Sequence, residues 1–144
     1  MKKTRKIRVK VFGLIRDGNR IFVSEDYDSV KQQKYYRALG GSIEFGETSC
    51  AALEREFQEE IQAELKNIRY RGCLENLFTL EGKPGHEIVQ VYECEFIDPK
   101  FYQLQELVFI EPTHNSQHKA LWIDISRVKS GELRLVPEEF CDYL

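Results

Sequence analysis

The chain has 144 residues, the span of one domain, and with 42% hydrophobic and 31% charged residues its composition is that of a globular protein. No apolar run approaches the roughly 18 residues needed to span a bilayer, and no apolar stretch of signal-peptide type follows the basic N-terminus, so no membrane partner is expected. The four cysteines, Cys50, Cys73, Cys94 and Cys141, form no CxxC pair, which argues against a zinc site or a secreted disulfide framework and favours a cytoplasmic location. The net charge of −3 hides an asymmetry: residues 44 to 64 hold seven acids and one base, whereas six of the first ten residues are basic. That basic run carries no interleaved aromatics or recognised motif, so nucleic acid is not expected as a partner and the run is read as a solvated tail.

In chain order, Ile7, Val9 and Val11 alternate with Arg8 and Lys10, the period of a half-buried strand. Asp17-Gly18-Asn19 is a turn signal, and Ile21-Phe22-Val23 reads as the returning strand. Residues 25 to 33 are polar and read as a loop, and residues 34 to 39 as a short strand that stops at Gly40-Gly41. Residues 48 to 63 lack Gly and Pro and suit a helix. Residues 68 to 80 and 87 to 96 read as strands joined by a turn at Gly82-Lys83-Pro84-Gly85. The segment 99 to 117 is ambiguous apart from an apolar piece at residues 107 to 110. A strand is expected at 120 to 125, followed by a short polar helix-like stretch. A C-terminal helix is expected from Val136, with Pro137 in its first turn. The sum is a mixed α+β chain with one prominent internal helix, organised as a single domain over residues 1 to 144.

The internal helix is the informative element. On a helical wheel at about 100° per residue, Glu56, Glu59 and Glu60 share an arc of roughly 100°, and Cys50, Leu53, Phe57 and Ile61 form the core face. Ala52 falls one turn before Glu56 on the acidic side, where its small side chain leaves room above the carboxylates. Like charges at these spacings repel by a few tenths of a kcal/mol per pair on an exposed helix. A hard divalent cation would convert that repulsion into coordination, while an ordinary acidic surface helix accounts for the wheel equally well. The preceding segment Gly40-Gly41-Ser42-Ile43-Glu44-Phe45-Gly46-Glu47 favours the cation, because a glycine-rich loop feeding a helix permits close backbone approach to charged groups. Arg55 lies beside the cluster and can hold Glu47 by a salt bridge.

Residues 41 to 63 resemble the Nudix box, G-x5-E-x7-R-E-U-x-E-E-x-G-U with U a bulky apolar residue. Gly41, Glu47, Arg55, Glu56, Phe57, Glu59 and Glu60 fall on the motif, seven of its nine specified positions. Gln62 stands in place of the late glycine and Ala63 in place of the final bulky residue. The resemblance implies an α+β fold of Nudix type, an α/β/α sandwich with a mixed β-sheet and the Nudix loop-helix-loop. It implies hydrolysis of a nucleoside diphosphate linked to another moiety: a nucleotide sugar such as ADP-ribose, a dinucleotide, or a nucleoside triphosphate. It implies Mg²⁺ or Mn²⁺ bound by Glu56, Glu59, Glu60 and the Gly41 carbonyl, with Glu59 or Glu56 orienting the attacking water. Arg55 and Glu47 would be the pair that fixes the loop. The family also makes a homodimer an open expectation.

Outside the box, Glu75, His86 and Glu87 lie in or beside expected strands and are candidate substrate-binding residues, with Asn76 beside them. A cross-strand polar pair on a wet sheet face is the plainer reading. Tyr35, Tyr36, Phe78 and Tyr92 are candidates for stacking on a base, each with core packing as the alternative. His114 and His118 fall in a polar segment, residues 111 to 119, read as a loop over the site. The rival to catalysis is a Nudix domain that binds a nucleotide or a protein partner without turnover. The retained Glu56, Glu59 and Glu60 speak against it, and Gln62 is its one support.

Overall fold

The structure, a computed structural model, describes residues 5 to 111 and 114 to 144. Lys2 and Lys3 of the basic run, and Pro112 and Thr113 of the segment read as a loop, lie outside the described residues. Seven strands, β1 (Arg8–Asp17), β2 (Arg20–Asp28), β3 (Gln33–Ser42), β4 (Leu65–Leu80), β5 (Lys83–Phe96), β6 (Glu106–Glu111) and β7 (Ser116–Asp124), form a mixed sheet of order β4-β5-β1-β3-β2-β7-β6. β1 and β5 pair in parallel, with Arg8 opposite Glu87 and Lys10 opposite Val89, and the other pairs are antiparallel. The helices are α1 (Ser49–Ile61), the short α2 (Lys100–Gln103) and α3 (Ile125–Lys129), with a 3-10 helix at Glu138–Tyr143.

Two hydrophobic clusters cover the sheet. Val11 and Ile15 of β1 join Leu53 and Phe57 of α1 in the first, while Phe12 and Leu14 join Val128 of α3 and Phe140 of the 3-10 helix in the second. Because successive strand residues point to opposite faces, this division places helices on both sides of the sheet. The arrangement is the expected α+β sandwich. Truncating a fully buried ring such as Phe57 to Ala costs about 3–5 kcal/mol in cores of this kind.

Several elements differ from the sequence reading. The half-buried alternation expected of β1 is not seen: residues 11 to 15 are all buried, because both faces of the strand are covered. Ile7 and Val9 are 59% and 42% exposed and Lys10 is tucked in, because the sheet runs on beyond the end covered by α1. The polar residues 25 to 28 continue β2 rather than form a loop, since Glu25, Asp26 and Tyr27 pair with Tyr36, Tyr35 and Lys34. The hairpin turn of β4 and β5 is Glu81-Gly82 alone, both at positive φ, and Lys83, Pro84 and Gly85 already belong to β5. Residues 107 to 110 are part of β6, and β7 begins at Ser116, earlier than expected. At the C-terminus Pro137 precedes the 3-10 helix rather than sitting in its first turn.

The boundaries of α1 follow from its ends. The Thr48 hydroxyl accepts the Ala51 N–H at 3.2 Å, a standard N-cap. Gln62 turns left-handed, at φ 52° and ψ 43°, and its N–H donates to the Gln58 carbonyl at 3.0 Å, while the Ala63 N–H donates to Phe57. Gln62 therefore performs the helix exit that a glycine usually performs. Ala52 is fully buried in the first cluster and does not form open space above the carboxylates, and Cys50 is only half-buried. The Glu56 and Glu60 side of the acidic arc is thus turned toward the sheet, while Glu59 stays exposed. All four cysteines are free.

Candidate functional site

Arg55 organises the loop before α1. Its Nε donates to Glu47 Oε2 at 3.0 Å and its Nη2 to Glu47 Oε1 at 2.6 Å, a bidentate pair. Nη2 also donates to the Ser42 carbonyl at 2.9 Å, and the Glu44 N–H donates to Glu47 Oε1 at 2.9 Å. These bonds tie the end of β3, the glycine loop and the helix into one unit. The Arg55 guanidinium and the Glu44 N–H hold the Glu47 carboxyl down at about 2. The remaining nitrogen, Nη1, donates to Glu56 Oε1 at 3.0 Å and Glu59 Oε2 at 3.3 Å.

The three helix glutamates differ in their surroundings. The Glu56 side chain is 15% exposed and that of Glu59 is 46% exposed. Glu56 and Glu60 lie within hydrogen-bonding reach of each other, and Glu60 Oε1 is shielded from solvent without a hydrogen-bond partner among the described residues. Burial, and then the charge of Glu56, push the Glu60 carboxyl up to about 8. Burial also raises Glu56, against the pull of Arg55. Gly41 is packed against this pair, since a β-carbon on it would lie 2.6 Å from Glu56 Oε1.

Among the described residues no three His, Cys, Asp or Glu side chains converge on one metal-sized point. Glu59 is turned to Arg55, while Glu56 and Glu60 come together beside Gly41. A buried carboxylate oxygen with no donor is costly by itself. The orphaned Glu60 Oε1, the neighbouring Glu56 carboxylate and the all-oxygen donor set suit a hard divalent cation.

The candidates outside the helix separate. Glu75 is exposed and lies outside both clefts described below. His86 lines an open cleft with Arg5, Lys6, Arg8, Lys10 and Lys83. Glu87 is 7% exposed and accepts a hydrogen bond from Asn76 Nδ2 at 3.3 Å. Asn76 and Glu87 also line a second cleft, of about 540 Å³, together with Tyr35, Arg37 and Phe78. Tyr36 and Tyr92 have structural partners instead: the Tyr36 hydroxyl donates to Glu25, and the Tyr92 hydroxyl shares a 2.6 Å hydrogen bond with Ser49. His118 stands in β7, bonded to Ser116 and Asp26, and His114 is bonded to Glu111.

Sequence reasoning passed over Lys10 and Arg37. Lys10 Nζ donates to Ser42 Oγ at 3.0 Å. Burial, and next the charge of Arg37, lower its pKa, while Glu87 and Glu56 oppose the shift. Arg37 stacks over the Phe12 ring at 4.9 Å, and its charge reaches Glu60. The available signal was one cation within the otherwise apolar Tyr35-Tyr36-Arg37-Ala38-Leu39.

A family model described as the NUDIX domain matches residues 4–143. The chain is 49% identical over 80 residues to the NAD-capped RNA hydrolase NudC of Pseudomonas syringae pv. syringae, a stretch covering 50% of this chain and 28% of that protein. It therefore spans less than a third of that curated relative's length. In solved structures the fold recurs in a NUDIX hydrolase from Nitrosomonas europaea, with TM-score 0.63 and 16% identity over 96% of this chain and 87% of the other. It recurs in the mutator MutT protein of Bacillus halodurans, with TM-score 0.60 and 17% identity over 92% and 77%. It recurs again in the E. coli ORF135 protein, with TM-score 0.55 and 18% identity over 94% and 84%.

Proposed function

The chain belongs to the Nudix family, and on that premise we propose that it acts as a pyrophosphohydrolase, cleaving the diphosphate linkage of a nucleoside diphosphate joined to another moiety. The observation that carries this reading is the shielded, donorless Glu60 Oε1 beside Glu56 and Gly41. Glu56 and Glu60, with the Gly41 carbonyl, would hold Mg²⁺ or Mn²⁺, and Glu59 would complete the set on turning from Arg55. When bound, such a cation neutralises diphosphate charge and acidifies the water it carries.

The chain's own groups do the rest. Glu59, the most solvent-accessible of the three carboxylates, orients the attacking water and accepts its proton. Arg55 keeps the loop closed on the helix through Glu47 and restrains Glu56 and Glu59 between turnovers. Lys10 and Arg37 place positive charge near the carboxylates, where a dianionic linkage would otherwise be repelled.

The test is product release from nucleotide sugars, dinucleotides, nucleoside triphosphates and NAD-capped RNA, with Mg²⁺, Mn²⁺ or EDTA. NAD-capped RNA joins the panel because the curated relative is named for hydrolysing it. Metal-dependent turnover that falls about 10²-fold in Glu59→Gln supports the hydrolase. Nucleotide binding without turnover across the panel would instead support a non-catalytic binding domain.

A further inference from the structure

The cleft of about 540 Å³ is lined by two polar features, Arg37 and the Asn76–Glu87 pair, and the hydrolytic reading leaves the second unused. The first is Arg37. Its Nε is shielded from solvent and has no hydrogen-bond partner among the described residues. Its guanidinium is instead held over the Phe12 ring. An arginine kept in place by a ring, with an unused donor, can take a further anion that enters the cleft. Its charge reaches Glu60, so that anion would stand between the glutamates and the cleft. Lys10, subject to the charges of both Glu56 and Glu87, adds a second cation at the same boundary.

The second feature is the Asn76–Glu87 pair on adjacent strands. Asn76 directs an N–H at Glu87 Oε1. The pair therefore keeps Glu87 Oε2 and Asn76 Oδ1 as acceptors and commits one of its two N–H donors internally. Phe78 and Tyr35 line the same space. The Phe78 ring lies across Gly85, where a β-carbon would come within 2.8 Å of Phe78 Cε1, so the missing side chain at Gly85 lets the ring lie flat on β5. An acceptor-rich polar pair flanked by aromatic rings is suited to a planar base whose edge carries adjacent N–H donors. Guanine presents two such donors. Adenine presents one, next to a lone pair that a carboxylate repels.

We infer that this cleft takes the nucleoside part of the substrate and selects guanine over adenine through Glu87 and Asn76, with Arg37 holding the adjoining phosphate. The inference rests on the hydrolase reading only for the direction in which the phosphates run toward the glutamates.

Equilibrium binding tests it without turnover. The full chain is titrated in EDTA with guanosine, adenosine, GDP and ADP, read by calorimetry. GDP should bind about tenfold or more tightly than ADP, the discrimination expected of one bidentate base contact. Glu87→Gln, close to isosteric, should erase that preference, and Arg37→Ala should weaken GDP about tenfold while leaving guanosine unchanged, with partial recovery in Arg37→Lys. Equal affinities for GDP and ADP in the unmodified chain would overturn the inference with no variant needed. So would an unchanged preference in a folded Glu87→Gln protein. Guanine preference without hydrolysis of any substrate would leave this inference standing and remove the hydrolase reading; hydrolysis without base preference would do the reverse.

Discussion

Gly41 and Glu56 share one space: a β-carbon on Gly41 would lie 2.6 Å from Glu56 Oε1, closer than a nonbonded carbon and oxygen can approach. The glycine is required by the carboxylate it faces and not by a turn. Gly41→Ala should displace Glu56 and lower metal-dependent turnover by about tenfold or more, a loss of the size seen when a catalytic group moves by an ångström. Circular dichroism should show the fold retained, and calorimetric titration with Mn²⁺ should show weakened binding. Turnover equal to that of the unmodified chain would remove Glu56 from the site.

The Glu56–Glu60 pair predicts a proton linkage. In the metal-free chain, burial and the charge of Glu56 keep Glu60 protonated up to about pH 8. Because this folded value lies above the ordinary carboxylate range, ionising Glu60 opposes folding. Metal-free stability should therefore decline as pH rises from about 4.5 toward 8. A cation that binds the ionised form must displace the proton, so Mn²⁺ affinity should increase with pH up to about 8. Titrations at pH 7 in buffers of different ionisation enthalpy should report a proton released on binding.

The Glu47–Arg55 pair acts with the opposite sign. Arg55 holds the Glu47 carboxyl down at about 2, so its contribution to stability is complete above the unfolded value near 4.5 and is lost as pH falls toward 2. Glu47→Gln should lower the Tm at pH 7 and flatten the acid limb between pH 4.5 and 2. Parallel acid limbs for the two proteins would show that the pair does not stabilise the fold.

Gln62→Gly tests the helix exit. A non-glycine residue in the left-handed region carries a conformational cost, partly offset by the greater unfolded-state freedom of glycine. The substitution should stabilise the chain by about 0.5–1 kcal/mol in urea unfolding and leave turnover unchanged. Destabilisation would show that the Gln62 side chain contributes contacts that outweigh the strain.

Much of the candidate site was legible because it is local. Thr48 to Gln62 is one helix with its own caps, and the distance from Gly41 to Glu60 is short enough for spacing to place the glycine loop beside the carboxylates. Ala52 is where the same wheel misled. An ideal wheel gives relative angles but not the orientation of the helix against its support, and the packing of Phe57 and Leu53 on the sheet turned Ala52 fully inward, with Glu56 and Glu60 half-buried beside it. The polar residues 25 to 28 and Lys83-Pro84 read as loop because their side chains suit solvent, yet backbone pairing across β2–β3 and β4–β5 keeps them in strands.

By itself the sequence determined the α+β class, the Nudix loop-helix-loop, and the pairing of Arg55 with Glu47, since each depends on residues within about two dozen positions of one another. Tertiary structure alone decided that Glu60 Oε1 is shielded while Glu59 reaches solvent, that Glu75 stays out of the clefts while Glu87 enters one, and that Lys10 and Arg37 stand near the glutamates. The physical reason is the parallel pairing of β1 with β5 and the seating of α1 on the sheet. These bring together groups from residues 10, 37, 60 and 87, and no local periodicity records which remote strand will lie alongside.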